Sequence, residues 1–258
     1  MTLTTWTAAL LLALGAETAA VPPPPTGSQP PGASVAQDPA AMALLKKMSD
    51  RLQRTKTLTF RGRTSLELPV AGGALATFVN GASVAVRRPD GLAATRTGDL
   101  PDFRFAYDGK TMTVLAPALG RWGTTSAPAT LDAMLVAAGE QGGLSFPFDE
   151  LLVADPYAAI TAGLTDAVRA GQATIEGKKV EHLVLTSAGM QVELWIDPET
   201  TLPARSLVVY TDHPLRPHFM AEYFDWKLDP KLPASAFALP KPAGAVQVDF
   251  REAASTFR

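Results

Sequence analysis

Apolar residues in the first part of the chain recur with the spacing of a helix. Between residues 38 and 54 they fall three or four positions apart, which places them on one helical face. This set comprises Ala41, Leu44, Leu45, Met48 and Leu52. Asp38 suits a helix cap, and Pro39 suits the first helical position. The pattern predicts a helix that begins at Asp38 and packs on an apolar surface.

From Thr57 onward the apolar positions alternate with polar or small ones, which is the period of strands with one buried face. The alternating residues include Leu58, Phe60, Leu66, Leu68, Phe78, Val84, Val86, Phe103, Phe105, Tyr107, Val192, Leu194 and Ile196. Turn signals, such as the glycines at 72 and 73 and the Asp-Gly pair at 108 and 109, separate these runs. We therefore predict many antiparallel strands joined by hairpins.

A helical interruption is predicted in the middle of the chain. The stretches 131–138, 148–153 and 155–160 carry apolar residues at helical spacing, and prolines separate them. The alternating runs elsewhere amount to roughly ten or eleven strands. This order favours a single α+β domain, in which an antiparallel sheet is covered by the N-terminal helix and the central helical insertion.

The first 37 residues differ in composition from the rest. Residues 6–16 form an apolar run followed by small residues, which is typical of a secretory signal cleaved after Ala16 or Ala20. An apolar N-terminal helix or a retained membrane anchor are the alternatives, although a membrane span needs about 20 apolar residues. Residues 21–37 are rich in proline and glycine and predict a disordered linker. We expect a signal at 1–20, a linker at 21–37 and a folded domain at 38–251.

Composition and charge narrow the classes of function. The 258 residues include no cysteine, which excludes thiolate metal sites, cysteine nucleophiles and an anchor through a lipid-modified cysteine. The 23 basic and 25 acidic residues give a net charge of −2, which is unlike the basic field of nucleic-acid-binding proteins. No segment after the signal is long and apolar enough to span a membrane. We expect an exported, soluble periplasmic protein without a cofactor or a nucleic-acid partner.

The three histidines are the first candidates for a catalytic or metal-binding site. His182 lies in a predicted strand, where a hydrogen-bonded structural histidine is commoner than a catalytic one. His213 and His218 flank a predicted loop without a defined third ligand, which favours surface residues over a metal site. Known catalytic motifs such as Gly-x-Ser-x-Gly and His-Glu-x-x-His are absent from the sequence. The sequence favours a protein that is not an enzyme.

Several motifs resemble those of known families. Residues 86–90 (VRRPD), followed by 107–111 (YDGKT), are similar to a stretch of the bacterial outer-membrane lipoprotein carrier family. Residues 236–245 (AFALPKPAGA) resemble the closing signature of that family, from which Ala238 and Lys241 depart. Residues 155–159 (DPYAA), 194–197 (LWID) and 225–228 (DWKL) resemble a family of predicted periplasmic proteins of unassigned function that share the fold. The resemblance extends over residues 38 to 250.

The resemblance implies a curved, incompletely closed antiparallel β-barrel whose apolar face is covered by a helical lid. It also implies a role for Arg88, which matches an arginine that holds the lid closed through hydrogen bonds to the lid backbone. A guanidinium group offers five donors and suits the free carbonyls at a helix end. The residues alone allow a second interpretation, in which Arg87 and Arg88 only charge a strand end before a turn.

The apolar strand face predicts a place for an apolar ligand. The residues predicted to line it are Leu58, Phe60, Phe78, Val84, Val86, Phe105, Val192, Leu194 and Ile196. Ordinary core packing is the alternative for each of them. We expect a periplasmic binding or carrier-like protein that holds a lipid or the acyl chain of a lipoprotein. A sensor or scaffold module that binds another envelope protein, with a filled core and no ligand, is the second hypothesis.

Overall fold

The computed structural model describes residues 37–147, 149–240 and 243–255. The expected signal and nearly all of the expected linker lie outside the described residues. Phe148 of the central helical prediction and Lys241 of the closing signature also lie outside them.

Twelve strands form one sheet, with the spatial order β12-β6-β5-β4-β3-β2-β1-β11-β10-β9-β8-β7. The strands are β1 (Thr57–Pro69), β2 (Leu75–Arg87), β3 (Gly91–Gly98), β4 (Phe103–Tyr107), β5 (Thr111–Ala116), β6 (Arg121–Ser126), β7 (Leu164–Ile175), β8 (Lys178–Ser187), β9 (Met190–Ile196), β10 (Pro203–Tyr210), β11 (His218–Leu228) and β12 (Val246–Gln247). All neighbours pair antiparallel except β12, which lies parallel to β6. The outermost strands, β7 and β12, do not pair with each other, so the barrel is not closed.

The predicted fold class is confirmed, with one strand more than the upper number expected. The additional element is β12, which spans two residues and therefore leaves no alternating pattern for sequence reasoning to find. Four helices accompany the sheet in the described part of the chain. They are α1 (Pro39–Arg54), α2 (Leu131–Gly142), α3 (Pro156–Thr161) and α4 (Phe250–Ser255).

The N-terminal helix α1 begins where the sequence predicts. The Asp38 carboxylate accepts a hydrogen bond from the Ala40 N–H at 2.8 Å, which caps the helix. The Asp38 N–H donates to the Ala167 carbonyl at 2.8 Å and so joins the start of α1 to the edge strand β7. On the predicted face, Leu45, Met48 and Leu52 have no exposed surface. This face packs into the main hydrophobic core.

The C-terminal helix α4 was not expected from the sequence. Phe250 and Ala254 are buried, and the helix packs on β5 and β6. Gly123 in β6 makes this contact possible, because a Cβ atom at that position would lie 2.7 Å from the Phe250 Cα. A helix of six residues has too few turns to show a periodic pattern.

The core lies on one face of the sheet, called here the covered face because the helices pack on it. Strand register produces rows of side chains across this face. One such row consists of Leu58, Val86, Leu92, Tyr107 and Met112, and none of its members is more than 1% exposed. The opposite face of the sheet is called the outer face.

The strand directions define two ends of the sheet. The Arg88 end holds the turns at residues 88–90, 108–110, 176–177 and 197–202. The Gly72 end holds the turns at residues 70–74, 99–102, 117–120, 188–189 and 211–217. The fully buried row that contains Leu58 lies near the Arg88 end, since Leu58 and Val86 are next to the last pair of β1 and β2 there.

Candidate binding site beneath the central segment

The chain between α2 and α3 lies against the covered face in its described residues, 143–147 and 149–153, which are called here the lid segment. Its residues Leu144, Leu151 and Leu152 belong to the main hydrophobic core. The turn Asp149–Leu151 is a single turn of 3₁₀ helix, so the predicted helix over 148–153 is shorter than expected. The lid segment thus fills space that a curved sheet would otherwise leave open.

An aromatic cluster holds the first half of the lid segment on the sheet. The Phe146 ring lies 4.9 Å from the Phe105 ring in an edge-to-face arrangement and 6.4 Å from the Phe103 ring. Phe103 and Phe105 themselves stack with centroids 6.2 Å apart. Aromatic pairs of this kind contribute about 0.5–1.5 kcal/mol beyond the burial of their surface. Phe146 therefore secures the lid segment near the middle of the covered face.

Arg88 holds the second half of the lid segment. Its Nη1 donates hydrogen bonds to the carbonyl oxygens of Leu152 and, at 2.6 Å, of Val153. Its Nη2 donates to the Leu151 carbonyl at 3.3 Å. These three carbonyls lie at the end of the short turn, where the backbone has no intrahelical partners. The guanidinium group therefore joins the β2–β3 turn to three consecutive residues of the lid segment.

The surroundings of Arg88 reinforce this connection. Its backbone N–H donates to the Lys56 carbonyl at 2.8 Å, and the next residue, Pro89, accepts from the Leu131 N–H at 2.7 Å. The same turn therefore anchors both the start of α2 and the end of the lid segment. Burial lowers the pKa of Arg88, and the charge of Asp132 acts in the opposite direction. Asp132 also accepts a hydrogen bond from the Ala154 N–H at 3.0 Å, just beyond the lid segment.

The structure brings most of the predicted ligand-lining residues together on the covered face. Seven of them belong to the core, namely Leu58, Phe60, Val86, Phe105, Val192, Leu194 and Ile196. All of these except Phe60 are at most 2% exposed. Val84 is half-buried and packs on the core, and Phe78 is half-buried nearer the Gly72 end. In this closed arrangement the lid segment and helices occupy the space that a ligand would need.

The lid segment also carries a buried acidic side chain, Glu150, next to the half-buried Asp149, which the sequence gave no reason to expect. Glu150 is only 8% exposed. Burial raises the pKa of Glu150, and its neighbour Asp149 raises it further by charge and by a hydrogen bond between the two carboxyl groups. Burial also raises the pKa of Asp149. The closed lid segment therefore favours protonation of this carboxyl pair.

Strands β10 and β11 carry two polar side chains, Ser206 and Tyr223, within the apolar covered face. The Ser206 hydroxyl and the Tyr223 hydroxyl lie 2.7 Å apart and are buried. Burial raises the pKa of Tyr223 and of Tyr210, and the charge of Glu150 contributes to both shifts. The Glu150 carboxyl therefore lies near enough to Tyr210 of β10 and Tyr223 of β11 for its charge to act on both. These residues were missed because each has the ordinary alternation of a strand, and only tertiary packing brings them together.

The segment 219–226 of β11 places apolar and aromatic side chains on both faces of the sheet. On the covered face, the Phe60 ring lies 5.6 Å from Tyr223 and 4.5 Å from Trp226. On the outer face, the Arg63 guanidinium lies 5.8 Å from the centre of the Phe224 ring. One set is therefore core, and the other forms part of the outer surface.

A polar row crosses the outer face and includes His182. Its Nε2 lies 2.7 Å from a carboxylate oxygen of Glu193, and its ring stacks on Trp195 at 4.2 Å. Arg205 continues this row: its guanidinium group lies 5.6 Å from the centre of the Trp195 ring and donates a hydrogen bond to the Glu222 carboxylate at 2.7 Å. His182 is thus hydrogen-bonded and stacked on the side of the sheet opposite the lid segment.

The two remaining histidines have separate partners. The His213 Nδ1 accepts a hydrogen bond from the Leu215 N–H, and the His218 N–H donates to Glu67. Within residues 37–147, 149–240 and 243–255, no three histidine, aspartate or glutamate side chains group in a way that suits a metal ion. A shallow groove of about 330 Å³ on the outer face, lined by Arg61, Thr97 and Phe224 among others, lies away from the lid segment.

Comparison with known proteins identifies a family. The model of a family described as predicted periplasmic protein, DUF2092, matches residues 41–251. No curated protein sequence matches the chain. No helix of the described residues has the length and apolar character needed to cross a membrane.

Several solved structures are similar to the chain. The lipoprotein LppX of Mycobacterium tuberculosis is 14% identical, with 77% of this chain and 100% of that chain covered and a TM-score of 0.47. LprF of Mycobacterium bovis is 11% identical, with 81% and 99% covered and a TM-score of 0.43. MucB in complex with MucA is 14% identical, with 81% and 62% covered and a TM-score of 0.41.

Proposed function

The chain belongs to a family of predicted periplasmic proteins, and we propose that it is an exported, non-enzymatic binding protein whose covered face receives an acyl chain of a lipid or lipoprotein. The observation that carries this proposal is the attachment of the lid segment by Arg88, through hydrogen bonds to three consecutive carbonyls. This polar part of the attachment is concentrated in one side chain, whereas Phe146, Leu151 and Leu152 attach the lid segment by apolar contacts. Release of Arg88 would leave those apolar contacts as the remaining attachment.

The surface beneath the lid segment has the chemistry that an acyl chain requires. Phe105 and Val192 are joined there by other apolar residues of both halves of the sheet. Burial of an acyl chain contributes about 0.8 kcal/mol for each methylene group. A ligand of about fourteen methylenes would gain about 11 kcal/mol, from which the cost of displacing Phe146, Leu151 and Leu152 must be subtracted. Reversible binding follows when these two quantities are similar.

The proposal that the protein is exported divides the chain into three parts. Residues 1–20 act as a cleaved signal and residues 21–37 as a linker, which leaves residues 38–251 as the binding domain. The mature protein would then be soluble, since its sequence has no cysteine for a lipid anchor.

A second candidate function is supported by the tight packing of the core. Leu58, Val86 and Ile196 are at most 1% exposed, as expected for a scaffold or sensor module that has no ligand and binds another envelope protein. The two candidates differ in whether the lid segment leaves the covered face. A scaffold gains nothing from such movement, whereas a carrier requires it.

The test is acyl-chain uptake by the native protein and by a lid variant. Mass spectrometry of the native protein would identify co-purified lipid, and a fluorescent fatty acid would report uptake by stripped protein. We expect Arg88→Leu to take up the probe faster than the unmodified protein. Arg104→Leu is the matched control, because Arg104 is exposed on β4 and outside the lid contacts.

One result would decide against acyl binding, and another would decide against the role of Arg88. Stripped protein that neither carries nor takes up an acyl chain would reject it and favour the scaffold. Equal uptake rates in Arg88→Leu and Arg104→Leu would remove Arg88 from the gate role.

A further inference from the structure

Exposed apolar side chains are concentrated at one end of the sheet. Among the described residues, the large apolar side chains that are exposed are Val70, Val79, Leu119, Val136, Leu215 and Val246. All except Val136, which lies on α2, belong to the Gly72 end or adjoin it. Single exposed apolar residues are normal on a protein surface, but their collection at one end is not.

The topology shows how five separate positions reach the same end. Val70 lies in the β1–β2 turn, Leu119 in the β5–β6 turn and Leu215 in the β10–β11 turn. Val79 is opposite Asp99, with backbone hydrogen bonding between them, and the Val246 N–H donates to the Gly120 carbonyl. These segments belong to strands from both halves of the sheet. The apolar side chains are therefore distributed along a rim rather than gathered in one groove.

The β1–β2 hairpin extends beyond its neighbours at this end. The pairing of β1 with β11 stops at Leu66, and the pairing of β2 with β3 begins at Asn80. Between these positions the two strands pair only with each other. The residues of this extension from Leu68 to Ala76 carry no charge, and those from Val70 to Ala74 are exposed. The tip is thus an uncharged, apolar projection.

Charge distinguishes this end from the other. Every turn of the Arg88 end contains a charged residue, whereas the turns at 70–74, 117–120 and 188–189 contain none. The turns at 99–102 and 211–217 carry Asp99, Asp102, Asp212 and Arg216, and Glu67 and Arg121 adjoin this end, so its charges are more acidic than basic. A surface of this kind is suited neither to an acidic partner nor to an anionic membrane. It is suited to the apolar boundary of a neutral lipid layer.

We propose that the Gly72 end docks on a lipid surface through Val70, Leu119 and Leu215, by shallow insertion of apolar side chains rather than by charge. The Gly72 end adjoins the covered face, since Phe78 and Phe103 lie on that face near this end. Phe103 in turn contacts Phe146 of the lid segment. Docking would therefore bring lipid close to the lid. It does not require acyl uptake, so either proposal can fail without the other.

The absence of cysteine makes a direct experiment possible. A single cysteine is introduced as Val70→Cys, Leu119→Cys or Leu215→Cys and is labelled with an environment-sensitive fluorophore. The full-length protein is then mixed with phosphatidylcholine vesicles. We expect a blue shift of the emission at all three positions. A label at Lys110→Cys, an exposed position in a turn of the Arg88 end, is the control and should not shift.

A second measurement uses flotation of the protein with the same vesicles. The triple variant Val70→Asp, Leu119→Asp and Leu215→Asp should bind at least tenfold more weakly than the unmodified protein, because three charges replace inserted apolar groups. Val136→Asp is the matched control and should bind normally, since Val136 is equally apolar and exposed but lies on α2. Circular dichroism confirms that each variant is folded, and added salt should leave the binding unchanged.

Four outcomes would overturn the proposal. The first is equal flotation of the triple variant and Val136→Asp with the vesicles. The second is a blue shift at Lys110→Cys equal to the shift at the three apolar positions. The third is loss of vesicle binding when salt is added. The fourth is a dimer of the unmodified protein that the triple variant abolishes, which would assign this end to a second copy of the chain.

Discussion

The two ends of the sheet are built from the same strands but differ in almost every physical property. At the Arg88 end, charged turns surround a row of side chains that are almost completely buried, and Arg88 joins that end to the lid segment. At the Gly72 end, turns with few charges surround side chains that are only half-buried, such as Leu68 and Phe78. The first arrangement stabilises the fold. The second leaves apolar surface available for binding.

The difference shows how a single sheet can be both stable and adaptable. Stability depends on burial that is complete, because a side chain contributes in proportion to the apolar surface removed from water. Binding through apolar contacts instead requires side chains whose apolar surface is still exposed in the free protein. The long β1 and β2 strands satisfy both needs, since their positions near Leu58 are core and their positions near Val70 project beyond the neighbouring strands.

The largest expected effect comes from a matched pair of leucines in β1. Leu58→Ala should lower the free energy of unfolding by about 3 kcal/mol, because Leu58 is 1% exposed and its removal leaves a cavity. Leu68→Ala should lower it by about 1 kcal/mol, because Leu68 is half-buried near the Gly72 end. Urea denaturation of both variants measures the difference. Equal losses would contradict the contrast between the ends.

The next effect concerns the attachment of the lid segment. Arg88→Leu should destabilise the closed lid by about 2 kcal/mol, since hydrogen bonds from a charged donor contribute roughly 1.5–3 kcal/mol. Amide hydrogen exchange in residues 149–153 should then accelerate about thirtyfold. Exchange at the buried row near Leu92 should change far less. Unchanged exchange in the lid segment of Arg88→Leu would show that the aromatic contacts of Phe146 suffice to hold it.

The carboxyl pair predicts that lid closure depends on pH. Burial raises the pKa of Glu150 and Asp149 in the closed state, whereas exposure in an opened lid would return each to its ordinary value near 4. The closed state therefore binds more protons than the open state. Its stability is complete below the ordinary carboxyl pKa and declines as the pH rises above it.

Hydrogen exchange of the lid segment, corrected for the intrinsic pH dependence, should therefore reveal easier opening at about pH 8 than at about pH 5. Glu150→Gln should remove most of this dependence, because a neutral amide replaces the group that must lose its proton. Glu140→Gln is the control, since Glu140 is exposed on α2. A dependence that persists in Glu150→Gln would assign it to another group.

The smallest expected effects come from the turns themselves. Asp108→Ala at the Arg88 end should cost about 1 kcal/mol, because its carboxylate accepts hydrogen bonds from the N–H groups of Lys110 at 2.9 Å and Thr111 at 2.8 Å. Val70→Ser at the Gly72 end should change stability by less than about 0.5 kcal/mol, because Val70 is 40% exposed. Thermal unfolding of the two variants measures both. A larger loss at Val70 would mean that the tip packs on the fold.

Much of the architecture could be predicted because it depends on local patterns. The alternation in β1, β2, β4 and β9 and the periodicity of α1 each require only a short stretch of sequence. The position of Arg88 next to the lid backbone was expected from the family resemblance, and the structure places it there. In contrast, β12 and α4 are too short for any period to be detected.

The sequence by itself determined which side of each strand is apolar, where α1 begins and which chemistry is missing, because these properties follow from the order and type of the residues. Only the tertiary structure decided that the lid segment packs on the covered face, that Glu150 is buried near Tyr223, and that exposed apolar residues from distant turns lie at the same end of the sheet. These features join residues from opposite halves of the chain. Their proximity depends on the curvature and register of the whole sheet, which no local pattern records.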